Sequence, residues 1–323
     1  MLPTEKYQAL AEILAVAMVT MLVGLLGLVT PLFILAALLL PLPLAYLIVR
    51  RDLNRGLLAF GLTSLFLFLV VGNVSLVLML LLYFGPPGIV IGLLIKNRVS
   101  VQNGVYAVFI WALLAAGINL TYVYIAGEAG ANNSAAEISS MVEQLSEQYL
   151  AEGAIDETEQ QRLIQIAQQM GYLAQLLFPG SAIIWTTVVT LVSFFLARRL
   201  LAPLGYAHSG GVEFARWQLP WYSIWLVIGG LALTLAGDEF AMPLLDAVGK
   251  NILLVSAFIF FILGLSIVKY FFRSWKAVWL VKFMVVVIVA LYLPFVILVL
   301  GVIDPVANLR RLPGNGGEGT KGG

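Results

Sequence analysis

Residues 8–28 read QALAEILAVAMVTMLVGLLGL, a run whose only charge is Glu12. At 1.5 Å per residue, a helix of this length covers about 30 Å, the hydrocarbon thickness of a bilayer. The early Lys6 and the apolar run resemble a signal peptide. The run is longer than such a core and leads straight into a second apolar stretch, so it is expected to stay as a membrane helix. The whole chain shares its character: 61% of its 323 residues are hydrophobic and 11% are charged. A soluble domain carries about 25% charged residues. There is too little polar surface here to cover a water-soluble particle.

Outward from that stretch, further spans follow. Span 2 covers about 30–49 and carries Pro41-Leu42-Pro43, then Arg50-Arg51-Asp52-Leu53-Asn54-Arg55. Three arginines in a short loop mark a cytoplasmic side. Residues 57–95 divide at Gly72-Asn73, and Gly85-Pro86-Pro87-Gly88 is expected to break the second half. Broken helices at membrane depth are covered by protein or line a cavity, so both a packing and a substrate-lining role stay open. Spans 5 to 9 are read at about 104–125, 181–201, 220–237, 250–268 and 277–301. The expected fold is an all-α polytopic membrane protein. It is a bundle of about 8–9 transmembrane helices with an extracytoplasmic amphipathic helical hairpin. With nine crossings and the N-terminus inside, Asp304 and Arg310 fall across the membrane from Arg216.

The hairpin is residues 126–178. Ser134 with Glu137, and Asp156 with Glu159, have capping-box spacing. Ile138, Met141, Val142, Leu145 and Tyr149 recur at helical spacing, as do Leu163, Ile166, Ala167 and Met170. Gly153 separates the two arms. Its charge is almost wholly acidic, from Glu128 to Glu159 against Arg162 alone. The chain thus divides into N-terminal membrane helices 1–125, the insertion 126–178, C-terminal membrane helices 179–304 and a Gly-rich tail 305–323, expected to be disordered.

The charges exclude several chemistries. There is no cysteine and one histidine, His208, so disulfides, thiol catalysis and a metal centre built on these residues are not expected. No cofactor is implied. Net charge is +1, which gives no reason to expect a nucleic-acid partner. No Gly-x-x-x-x-Gly-Lys-[Ser/Thr] loop is present, so ATP hydrolysis would need another chain. No Asp, Glu or His falls mid-span, which argues against a proton relay. No nucleophile–base spacing stands out, and the chain is not read as an enzyme.

The one constellation is GVEFARWQLPW at 211–221. Trp217, Trp221, Tyr222 and Trp225 form an interfacial aromatic cluster. Glu213 and Arg216 pair if that turn is helical. Pro220, lacking an N–H, suits a helix's first turn. An anchored helix entry and a docking surface both fit. Candidate binding or docking residues are Arg50, Arg51, Glu213, Arg216, Trp217, Pro220, Asp304 and Arg310. Ala11 and Ala15 have the small-xxx-small spacing of close helix packing.

PLPLAYLIVRRDLNRG at 41–56, FGPPGIVIGLLIKNRVS at 84–100, FARWQLPW at 214–221, GLSIVKYFF at 264–272 and LGVIDPVANLR at 300–310 fall in the order of the bacterial YybS-like family. The chain resembles these predicted integral membrane proteins, which carry a domain of unknown function. The resemblance spans nearly the whole chain and places it in a bacterial cytoplasmic membrane. It is distantly similar to the S components of energy-coupling-factor vitamin transporters. Those bind a vitamin and dock on a separate transmembrane and ATPase module, through an Ala-xxx-Ala motif that Ala11 and Ala15 match. The extra spans and the acidic insertion depart from that pattern. The resemblance implies a substrate-binding membrane subunit. The alternative is a non-transporting structural or regulatory protein that acts through partner binding.

Overall fold

The structure, a computed structural model, describes residues 3–125, 131–206, 213–273 and 275–312. Its α-helices are α1 Pro3–Val29, α2 Phe33–Leu39, α3 Pro41–Arg50, α4 Leu53–Val71, α5 Val74–Lys96, α6 Val101–Ile125, α7 Ala131–Ala151, α8 Glu157–Leu201, α9 Ile224–Glu239, α10 Pro243–Phe271, α11 Trp279–Tyr292 and α12 Pro294–Ala307. No strand occurs among the described residues. Seven helices are long and apolar enough to cross a membrane, or eight if the bent pair α11–α12 is one span. The chain packs as two units, Met1–Asn119 with Ala182–Gly211, and Leu120–Ser181 with Val212–Gly323.

In the first unit, α3 is the centre: Leu44, Ala45, Leu47 and Ile48 are buried. Asp52 caps α4 by accepting from the Arg55 N–H at 2.8 Å, and Gly72 ends it at φ +67°. The expected break at Pro86-Pro87 does not occur, and α5 runs through it. Its glycines hold it there. A Cβ at Gly85 would stand 2.1 Å from the Phe60 ring, one at Gly88 2.9 Å from the Pro41 carbonyl, and one at Gly92 2.9 Å from Ile48. The motif is therefore a packing surface against α3 and α4. At the end of α5, Lys96 Nζ donates to the carbonyls of Ile48 and Arg51 at 3.2 and 2.8 Å. α5 thus returns the chain to the end from which α4 leaves.

The insertion and span 6 are one helix, α8, whose residues to Ser181 belong to the second unit and the rest to the first. Pro179 lies inside α8, whose 45 residues extend about 67 Å. The proline is bridged from α10. Asn251 Oδ1 accepts from the Gly180 N–H at 2.6 Å, and its Nδ2 donates to the Leu176 carbonyl at 2.7 Å. In an unbroken ladder Gly180 would bond to Leu176 directly. The asparagine amide is inserted between them, so neither group is left bare. The capping box at the start of α8 is present, with the Glu159 N–H donating to Asp156 Oδ1 at 2.7 Å. Gly153, at φ +70°, follows α7. Side chains at Ser134 and Glu137, and residues 126–130, lie outside the described residues. Met141, Leu145, Tyr149, Leu163, Ile166 and Met170 are exposed, so the hairpin's apolar stripes face outward.

α9 and α10 form a close hairpin, because Gly237 and Gly249 each leave no room for a Cβ against Asp246 and Thr234. α10 and α12 meet at Gly264 and Gly301, where a Cβ would stand 2.0 Å from the Ile297 carbonyl and 1.8 Å from that of Phe260. α11 and α12 are bent by 96° at Leu293-Pro294, so the stretch read as span 9 is not one straight crossing. Residues 305–307, assigned by sequence to the tail, complete α12, and Arg310 beyond it is buried. Residues 313–323 and His208 are outside the described residues.

Replacing Asn251 with leucine strips both partners from the Pro179 bridge. Each unsatisfied group in an apolar setting costs about 1–3 kcal/mol. N251L is expected to lower stability by about 3 kcal/mol in detergent unfolding. A variant as stable as the parent would show that the bridge carries no weight.

Candidate functional site

The predicted site residues gather at two places, one in each unit. In the first unit, α1 brings Glu12 to the last turn of α3. Arg51 donates from Nε and Nη2 to its two carboxylate oxygens at 2.7 and 3.0 Å, the fork geometry that only arginine offers. Arg50 Nη2 lies 3.0 Å from Glu12 Oε1, and Arg50 Nη1 donates to the Tyr46 hydroxyl. The same end of the unit holds Arg198, which donates to the Val99 carbonyl at 3.3 Å. Below this charged rim lies a cleft of about 370 Å³, open to one side. Its walls include Val16 and Val19 of α1, Leu42 and Tyr46 of α3, and Ala197 and Leu201 of α8. Ala15 borders it. Ala11 and Ala15 are both exposed, so their close-packing spacing is not used inside the chain.

In the second unit, Arg310 gathers three segments. Its Nη1 donates to the Ala215 carbonyl and to Ser266 Oγ, both at 2.8 Å. Its Nη2 donates to Asp304 Oδ2 at 2.7 Å and to the Trp217 carbonyl. Ser266 Oγ donates to the Phe214 carbonyl at 2.6 Å. The Arg310 and Asp304 side chains are 0% and 2% exposed. Asp304 Oδ1 and Arg310 Nε have no hydrogen-bond partner. The expectation that Asp304 and Arg310 lie across the membrane from Arg216 is therefore wrong. The bend at Leu293-Pro294 turns α12 back, and Arg310 reaches the segment 214–217 and the last turns of α10. α11 starts within a short loop of the same end of α10, and the pair α11–α12, bent by 96°, has the shape of a broken span or a re-entrant loop.

The rest of GVEFARWQLPW sits at the surface. Residues 214–216 form a 3-10 turn, which brings Arg216 within 3.8 Å of Glu213. Arg273 approaches Glu213 more closely, at 2.9 Å. These exposed pairs contribute about 0–1 kcal/mol each. Pro220 precedes a second 3-10 turn, Trp221–Ser223, rather than standing in the first turn of α9. Trp221, Tyr222 and Trp225 are exposed, as an interfacial belt requires. Phe214 is sandwiched: Trp217 meets it edge-on at 5.1 Å, and Lys269 Nζ stands 5.4 Å from its ring centre.

Chemically the two places differ. Arg310 spends its donors on the chain's own groups, which makes it a structural pin. Arg50, 43% exposed at its side chain, is bonded to Tyr46 on the wall of an apolar cleft. Among the described residues no three His, Cys, Asp or Glu side chains come together to hold a metal ion. Sequence reasoning missed Glu12 as the partner of Arg51, and Tyr46, Ser266 and Asn251. The signal for Glu12 was a carboxylate inside an apolar run, which calls for a named cationic partner.

Fold and sites together define an all-α polytopic membrane protein. Over residues 15–305 the chain matches the family described as predicted membrane protein (DUF2232), and it belongs to that family. Comparison with curated proteins and with solved structures gives no match.

Arg310→Met leaves Asp304 buried without its cation. Breaking a buried pair from one side costs about 3–5 kcal/mol, whereas removing both partners costs much less. R310M is expected to lose that much in detergent unfolding, and adding Asp304→Leu is expected to restore a good part of it. An R310M variant as stable as the parent would contradict the pin.

Proposed function

We propose that the protein is a non-catalytic, membrane-embedded binding subunit that captures an amphipathic small molecule for a separate energised module. The observation that carries this is the partly open cleft of the first unit, apolar along its walls, whose wall residue Tyr46 is bonded to Arg50. A ligand partitioned in the bilayer can enter it sideways without crossing water. The distant likeness of the sequence to S components supports the same role. By the positive-inside rule we place the rim with Arg50, Arg51, Lys96 and Arg198 on the cytoplasmic face of a bacterial inner membrane, with the N-terminus there and the acidic hairpin outside.

A second reading rests on the hairpin. α8 is more than twice as long as the hydrocarbon core is thick, and its Leu163, Ile166 and Met170 are exposed among the described residues. That favours a regulatory or structural protein docking a partner through α7 and α8.

Purification in a mild detergent, followed by mass spectrometry of bound small molecules and of co-purified chains, separates the two. Capture predicts an amphiphile near one per chain and an ATPase-bearing partner, the amphiphile being lost from Ala197→Phe, which fills the cleft. A parent protein that carries no ligand, while Ile166→Glu abolishes its association with a partner, would replace the first reading by the second.

A further inference from the structure

We propose that the cleft of the first unit holds an acyl chain of an anionic bilayer phospholipid, with the phosphate on Arg50. This rests on the capture reading for the site and names the chemistry of its occupant.

The cleft runs from a charged rim into the membrane along α1 and α3. Val19 lies seven residues beyond Glu12 on α1, about 10 Å along the helix. Leu42 lies eight residues before Arg50 on α3, about 12 Å. On α8 the lining residues Ala197, Leu200 and Leu201 stand level with the basic pair Arg198 and Arg199, and Leu204 follows the end of the helix. Below the rim the lining residues offer no polar side chain. The Tyr46 hydroxyl is at the top and already accepts from Arg50. A polar ligand would lose its hydrogen bonds on entry, and water would find too few partners there. The occupant of the deep part is therefore hydrocarbon.

A single extended chain of methylenes fits. The hydrocarbon gains little by leaving lipid for an equally apolar cleft, so chain contacts alone do not select a ligand. Selection falls to the headgroup. At this end the charged residues among 12–55, 96–98 and 198–199 are Arg50, Arg51, Arg55, Lys96, Arg98, Arg198 and Arg199 against Glu12 and Asp52, seven against two, or +5. Glu12 is held on both oxygens by Arg51, which is 23% exposed, while Arg50 remains more open beside the cleft. A guanidinium at the interface matches a phosphate in both charge and geometry.

The test is native mass spectrometry of the full chain in mild detergent, titrated with phosphatidylglycerol or phosphatidylcholine of identical acyl chains. We expect one phosphatidylglycerol per chain in preference to phosphatidylcholine. Arg50→Gln should weaken that preference about fivefold, the equivalent of one basic group at an anionic surface. Ala197→Phe should abolish the bound lipid, and Ala15→Phe from the opposite wall should do the same if A197F fails to fold. Arg216→Gln, in the other unit, should change nothing. Equal binding of the two lipids, an equal loss in R216Q, or lipid retained in a folded cleft-filled variant would each overturn the proposal. A non-lipid amphiphile held in the cleft against added phosphatidylglycerol would overturn it and leave the capture reading standing. Phosphatidylglycerol bound as expected, with no energising chain co-purifying, would leave it standing and sink the capture reading.

Discussion

A guanidinium cannot be left bare in an apolar interior. A buried ion must be paired and hydrogen-bonded. In this chain the cation finds Asp304, Ser266 and the carbonyls of Ala215 and Trp217. These partners come from α12, α10 and the segment before α9. Satisfying one side chain therefore fixes where three parts of the second unit meet. The bend at Leu293-Pro294 follows from the same demand, since a straight continuation of α11 would carry Arg310 away from them. Small residues make the closure feasible, because α12 can lie against α10 only where Gly264 and Gly301 admit a neighbouring backbone.

The same logic recurs wherever the sequence looks broken. Pro179 removes a donor from α8, and Asn251 fills the gap with an amide that both donates and accepts. Lys96 ends α5 by donating to two carbonyls at the end of α3. Backbone groups that lose an internal partner in a membrane must be satisfied by neighbouring elements. Here the neighbours are single polar side chains far away in sequence.

That distance explains what was legible. The helical class, the Asp156–Glu159 cap, the turn at Gly153 and the separation at Gly72-Asn73 are local signals, each carried by residues within a few positions. The continuity of α5 through Pro86-Pro87 and of α8 through Pro179 was not legible, because it depends on Phe60, Ile48 and Asn251 in other helices. The Asp304–Arg310 pairing follows from their spacing near a helix end. Its burial against Ala215 and Trp217 does not, since hydropathy gives a turned-back helix pair and a full span the same score. The rim of the first unit was half legible: Arg50 and Arg51 stand out as a basic loop, whereas Glu12 looks like an outlier until α3 returns beside α1.

Because the chain has no native cysteine, single cysteines report sidedness cleanly. Glu213→Cys, Val306→Cys and Asp238→Cys, probed in sealed vesicles with a membrane-impermeant maleimide, ask directly whether Arg310 turns the C-terminal helices back. Positions 213 and 306 are expected to label from one face and position 238 from the other. Labelling of 306 together with 238, opposite to 213, would mean that α11–α12 crosses the membrane and that Arg310 does not pin it to the segment before α9.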